Sequence, residues 1–277
     1  MRLSFPAFFK GIAAIIAVGS AIRIALALTL PWSIPTDESS PLSHIIYTAN
    51  NWQLPTSSSA CPPATILVYT STFSLSTRDI AVLQASCTYE FAQPLGYYFV
   101  AAIVYIGSSL LGPAFAFYSL RILSVSFSVA TIVISYMMIR LLTQNRVVLA
   151  SSTLMLAFTP KLVEASVGIN NDQLSWLFSS LAIYYTMQVA QGNRHPAKMG
   201  ILSGLAVLTK LTCIPIAIGG ALSLLLRQKI GRLVLTYLSV FSVMTLWLFV
   251  WNTIVWGSPT TRGGIPFLTL SSLEKYL

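Results

Sequence analysis

The sequence predicts an all-α, polytopic membrane protein, and three observations carry that expectation. Of its 277 residues, 55% are hydrophobic and only 8% charged, against about 25% charged in ordinary soluble domains. A soluble fold of this size has too little interior to hide so much apolar surface. Apolar runs recur along most of the chain, and in hydrocarbon only helices and closed barrels satisfy their own backbone. Basic residues gather in a few short loops, as they do on the cytoplasmic side of membrane proteins. The net charge of +9 is therefore a topological signal. Without a soluble basic domain, nucleic acid is not expected as a partner.

The elements follow in order. The run 11–30 comes after Arg2 and Lys10, but it is long for a signal-peptide core and lacks a small-x-small cleavage site, so it reads as a retained first span. Arg23 inside it is costly in lipid and should face protein or snorkel outward. The hydrophilic segment 31–94 forms a first outer loop. Within it, residues 44–52 place apolar side chains at helical spacing beside Trp52, the pattern of a helix lying on the membrane surface. Cys61 and Cys87 share this loop. They read either as a disulfide, if the loop faces an oxidising compartment, or as two unpaired thiols.

The apolar stretch 95–111 either spans or lies at the interface. If it spanned, Arg140 and Arg146 would fall outside; an interfacial or re-entrant helix puts them inside, as the positive-inside rule prefers. Spans at 114–138, 147–160, 174–190, 199–208, 211–226 and 233–256 then bring the total to about seven. Residues 1–277 form a single transmembrane module, and 257–277 read as the start of an outer C-terminal segment.

Charge supports this topology. Nine of the sixteen basic residues fall inside: Arg2, Lys10, Arg140, Arg146, Arg194, Lys198, Arg227, Lys229 and Arg232. All seven acids fall outside: Asp37, Glu38, Asp79, Glu90, Glu164, Asp172 and Glu274. Acids contribute little to insertion, so their one-sidedness points to work done on the outer face. The runs 147–160 and 199–208 are too short to cross about 30 Å of hydrocarbon at about 1.5 Å per residue. Their ends must lie below the outer surface, where irregular backbone is tolerated only beside a protein cavity. Lys161, Glu164 and Asn170-Asn171-Asp172 follow the first short run, and Lys210 follows the second. A carboxylate and an ammonium are thus expected in a recess open to the outer leaflet.

Alone, Asp37-Glu38 suits a helix N-terminus, Asn171-Asp172 suits a helix cap, and His44 suits packing. Lys210 is different, because a lysine within a long apolar stretch is expensive and usually functional. No Walker loop, dinucleotide fingerprint or Ser-His-Asp set is present.

The order of these motifs resembles the GT-C superfamily of polyprenyl-phosphate-sugar-dependent glycosyltransferases, in particular the proteins related to protein O-mannosyltransferases and aminoarabinose transferases. Five stretches carry the resemblance: Thr36-Asp37-Glu38 through His44, Gln93-Pro94-Leu95-Gly96-Tyr97-Tyr98, Arg121-Ile122-Leu123-Ser124, Asn171-Asp172-Gln173-Leu174 and Gly204-Leu205-Ala206-Val207-Leu208-Thr209-Lys210. The second departs from the family pattern, with Gln93 at the usual Pro and no preceding His. The resemblance implies a GT-C module with membrane-parallel helices in its first outer loop. It implies an inverting transfer of a hexose or pentose from a polyprenyl-phosphate donor in the membrane lipid to an acceptor, which is a protein, a glycan or a lipid.

The same resemblance implies residue roles. Asp37 would be the general base, with Glu38 orienting it or the acceptor. Lys210, Arg121 and Gln93 would bind the donor phosphate. Asp172, Glu90 and His44 would support the site or a divalent metal, the one cofactor left open. Arg121 would pair with Glu90 or with a phosphate. The alternative function is a non-catalytic scaffold or lipid-binding subunit built on the same module. A transporter is disfavoured by the absence of internal repeats.

Overall fold

A computed structural model describes residues 5–31, 38–56, 62–86, 89–192, 195–226 and 230–259. Among the described residues every regular element is a helix, as expected for an all-α membrane protein. The first span is α1 (Phe5–Thr29). The segment after it folds into α2 (Ser39–Asn51), α3 (Pro63–Thr72), α4 (Thr77–Ser86) and a 3-10 turn at Tyr89–Ala92. Next come α5 (Leu95–Ser109), α6 (Pro113–Leu142), α7 (Arg146–Phe158), α8 (Pro160–Val167), α9 (Asp172–Ala190) and α10 (Pro196–Thr209). A 3-10 turn at Leu211–Cys213, α11 (Ile214–Leu225) and α12 (Ile230–Trp256) complete the described chain.

α1, α6 and α12 are long and apolar enough to cross a membrane, and α7 with α8 meets the same test as a pair bent by 49°. α9, α10 and α11 occupy the other predicted spans. α5, α10 and α11 are shorter apolar helices of 15, 14 and 12 residues. α1 and α12 turn Val18, Ile22, Leu28, Leu246, Val250 and Ile254 outward, as a lipid-facing surface requires.

Prolines set several boundaries. Pro113, Pro160 and Pro196 each stand at the start of a helix, where a missing N–H costs nothing. Pro160 also ends α7, since it has no N–H to donate to the Leu156 carbonyl four residues earlier. Gly112, with φ of +116°, makes the turn between α5 and α6 that other residues resist.

The outer-loop helices pack into the main body. Leu42, Ile45 and Ile46 of α2 meet Tyr97, Tyr98 and Ala101 of α5, Phe117 and Leu120 of α6, and Ile169 and Leu174 at the start of α9. A separate cluster joins α9 to α12 through Val189, Met199, Leu224, Val234 and Tyr237. The predicted interfacial helix 44–52 is the later part of α2. Its inner face is buried against protein rather than lying free on lipid.

Arg23 faces protein. It is buried, and its guanidinium donates to the Ala157 carbonyl at 2.6 Å, the Leu156 carbonyl at 3.3 Å and Ser128 Oγ at 3.2 Å. It thus supplies the donor that Pro160 withholds from Leu156. Positive charge at the carboxyl end of α7 is also favoured by the helix dipole.

Candidate active site

The charged residues of interest lie at the starts of α2 and α9, in the first part of α6 and at the carboxyl end of α10, and two ion pairs organise them. The first joins Glu38, at the start of α2, to Arg121 on α6. Arg121 Nε donates to Glu38 Oε1 at 2.8 Å and Nη2 donates to Oε2 at 2.6 Å, the two-pronged geometry that suits a guanidinium. Both side chains are buried, with exposures of 0% and 1%. The backbone N–H of Ile169 donates to Glu38 Oε1 at 2.9 Å. Arg121 Nη1 donates to the Leu30 and Ala27 carbonyls at 2.7 and 3.1 Å, and its guanidinium lies over the Phe117 ring. Burial pushes the Glu38 carboxyl above the usual carboxylate range, while Arg121 and the Ile169 N–H pull against that.

This arrangement corrects the expected partner of Arg121, which is Glu38. It also removes Arg121 from the surface that a phosphate would reach, because its donors are taken by a carboxylate and by helix carbonyls. Glu38 is equally committed, so it cannot turn toward an acceptor without leaving Arg121 buried alone. The pair also ties the start of α2 to the loop before α9. Asp37 itself lies outside the described residues, but its covalent neighbour is held at three points.

The second pair is Lys210 and Asp172. Their Nζ and Oδ1 are 2.5 Å apart, with side-chain exposures of 24% and 34%. Lys210 caps the carboxyl end of α10, where the helix breaks before the 3-10 turn. Asp172 is the first residue of α9. The structure thus pairs the lysine after the second short run with one of the carboxylates after the first. Lys161 and Glu164, which follow the same short run, pair with each other on α8 at 3.1 Å and stay exposed.

Local bonds hold both partners in place. The Asp172 N–H donates to Asn170 Oδ1 at 3.0 Å, and Asn170 Nδ2 donates to the Ala165 carbonyl at 2.8 Å. Asn171 Nδ2 donates to the Tyr98 hydroxyl at 3.3 Å. Tyr98 in turn stacks on His44, with ring centroids 3.6 Å apart. On the other side, α5 seats directly on the break before Lys210. A Cβ on Gly96 would stand 2.6 Å from the Leu208 carbonyl oxygen and 3.2 Å from the Thr209 nitrogen. Gln93 is partly buried at the turn into α5, about one helical turn from Gly96.

The two pairs meet in one stretch of chain. Ile169 binds Glu38 and Asp172 binds Lys210. Three residues span at most about 11 Å, so the two clusters belong to a single site. Trp176, one turn along α9 from Asp172, lines a cavity of about 250 Å³ shared with Arg23, Ser128, Ile132, Leu156 and Leu162.

His44 is a buried packing partner of Tyr98 and Phe91. The Glu90 side chain, Cys61 and Cys87 lie outside what is described, and Cys213 is buried beside Ser179. Among the described residues no three of His, Cys, Asp and Glu come together. Sequence reasoning assigned no role to Tyr98 or to the Ile169 amide. Tyr98 was marked only by its place in a motif, and a backbone donor has no residue signature.

Chemically, the site offers a partly exposed ammonium paired with a partly exposed carboxylate and, on the same loop, a buried arginine–carboxylate pair. The family model described as dolichyl-phosphate-mannose-protein mannosyltransferase matches residues 92–256, more than half of the chain. The matched stretch includes Gln93, Arg121, Asp172 and Lys210; Asp37, Glu38 and His44 precede it. No curated protein and no solved structure matches the chain.

Proposed function

The chain belongs to the dolichyl-phosphate-mannose-protein mannosyltransferase family, and from that premise we propose that it transfers a sugar from a polyprenyl-phosphate donor to an acceptor on the extracytoplasmic face of the cell membrane. It is an integral membrane glycosyltransferase of the GT-C type. The acceptor hydroxyl or amine attacks the anomeric carbon as Asp37 takes its proton. The bond from that carbon to the phosphate oxygen breaks, and its electron pair leaves on the lipid phosphate. A single displacement inverts the anomeric configuration.

In this reading Lys210 is the cation that holds the donor phosphate and stabilises it as it leaves. A lysine is a compact point charge with rotatable donors, suited to a group that arrives and departs by the membrane. The cavity beside Trp176 gives room for part of the isoprenoid chain. Glu38 and Arg121 act as positioning residues. They tie the start of α2 to the loop that carries Asp172.

The observation that carries the proposal is the Lys210–Asp172 pair at a helix break, on the same short loop that binds Glu38. The test is transfer from a radiolabelled polyprenyl-phospho-sugar in proteoliposomes. Asp37→Asn should insert and fold but lose transfer by several orders of magnitude, and the wild-type product should carry the inverted anomer. An active Asp37→Asn protein, or a retained anomer, rules the mechanism out.

A further inference from the structure

We infer that Asp172 is a charge filter at the donor site: it disfavours the bare lipid phosphate left after transfer relative to the sugar-bearing donor. The inference rests on the proposed role of Lys210 and concerns what its partner does.

Lys210 and Asp172 together carry no net charge. An ammonium has three N–H donors, and Asp172 accepts one at 2.5 Å. Two remain for a phosphate, and both side chains are open enough for one to reach them. The backbone that carries Asp172 is held in place. Its N–H is bonded to Asn170, its neighbour Asn171 is bonded to Tyr98, and Asn170 is anchored to the end of α8.

The two ligands differ in charge. A sugar-bearing lipid phosphate is a diester with one negative charge. Transfer breaks the bond to the anomeric carbon and leaves both electrons on the phosphate oxygen. The product is a monoester, and with a second ionisation near about 6 it carries close to two charges at neutral pH. The repulsion from a fixed carboxylate scales with that charge. A lone lysine would hold the product more tightly than the donor. The Lys210–Asp172 pair opposes that preference, and the charge that drives release is the one the reaction itself creates. Asp172 is thereby a specificity-determining residue for the donor over the product.

The experiment uses two matched probes, farnesyl phosphate and its methyl diester, bound to the full-length protein in nanodiscs at pH 7.5. The wild type should bind the diester at least as tightly as the monoester. Asp172→Asn should tighten monoester binding by roughly fivefold more than diester binding, the scale of one partly exposed charge interaction. Asp172→Glu should restore the wild-type ratio. A wild type that strongly prefers the monoester overturns the inference without any variant, as does an Asp172→Asn protein with an unchanged ratio. Lys210→Ala separates the two layers. If it weakens neither probe, the phosphate role of Lys210 fails; if it weakens both while Asp172→Asn shifts them equally, only the charge filter fails.

Discussion

The backbone N–H of Ile169 donates to Oε1 of Glu38 at 2.9 Å, across 131 residues of chain. This bond places the segment leaving α1 against the loop that starts α9, and Arg121 completes the joint from α6.

Removing either charge should break that joint. Glu38→Gln leaves a buried guanidinium without its counter-ion, which costs about 3–5 kcal/mol. The expected result is a large fall in melting temperature in detergent. Replacing both partners, with Arg121→Gln added to Glu38→Gln, should recover part of the loss. Strictly additive effects in this cycle would mean that the two residues do not act as a pair.

Gly96 should tolerate no side chain. The methyl of Gly96→Ala would press on the Leu208 carbonyl and displace the break that presents Lys210. A shift of about 1 Å at a reacting group costs on the order of a hundredfold in rate. Transfer by Gly96→Ala should fall on that scale. Gly107→Ala, on the same helix with open space around the new methyl, should transfer normally; equal behaviour of the two variants would remove the positioning argument.

Tyr98 makes two contributions that substitution can separate. Tyr98→Phe keeps the ring stacked on His44 and loses the hydroxyl that accepts from Asn171, worth about 1 kcal/mol or less at this length. Tyr98→Ala empties a buried aromatic site and should cost about 3–5 kcal/mol. Tyr98→Phe should therefore melt close to the wild type while losing transfer efficiency through the loosened start of α9. Unchanged kcat and KM in Tyr98→Phe would confine the residue to packing.

The two acids described at the site each face a cation already: Glu38 faces Arg121, and Asp172 faces Lys210. Among the described residues, neither belongs to a group of three His, Cys, Asp or Glu that could hold a divalent ion. Transfer should persist in excess EDTA at more than about half its initial rate, a loss of under 0.5 kcal/mol of transition-state stabilisation. Loss of activity that Mn²⁺ or Mg²⁺ restores would show that a metal is held by other groups.

Much of the architecture was legible in the sequence because lipid acts on each residue separately. A run of apolar side chains must be helical in hydrocarbon whatever it packs against, so the helices fall where the apolar runs do. Lys210 stood out for the same reason, and the break at that residue followed. Partnerships were less legible. Arg121 seemed suited to Glu90 or a phosphate, and only the fold brings Glu38 to it from 83 positions away. Glu164 follows the same short run as Asp172, yet it pairs within α8 with the exposed Lys161, while Asp172 pairs across the fold with Lys210. Such choices depend on helix rotation and long-range contact, which local pattern does not encode.

The two buried arginines answer the same defect. Pro31 leaves the Ala27 carbonyl without its helical donor, and Arg121 supplies one; Pro160 does this to Leu156, and Arg23 supplies one. Each repair comes from a helix far away in the chain, so neither exists until that helix has been made. With Arg23 waiting for Ala157, 134 residues downstream, α1 bears an unmatched charge of about 2.5–3.5 kcal/mol until α7 has been synthesised. The expected consequence is a less firmly held α1 in short chains: nascent chains stopped before residue 157 should release α1 to alkaline extraction more readily than longer ones.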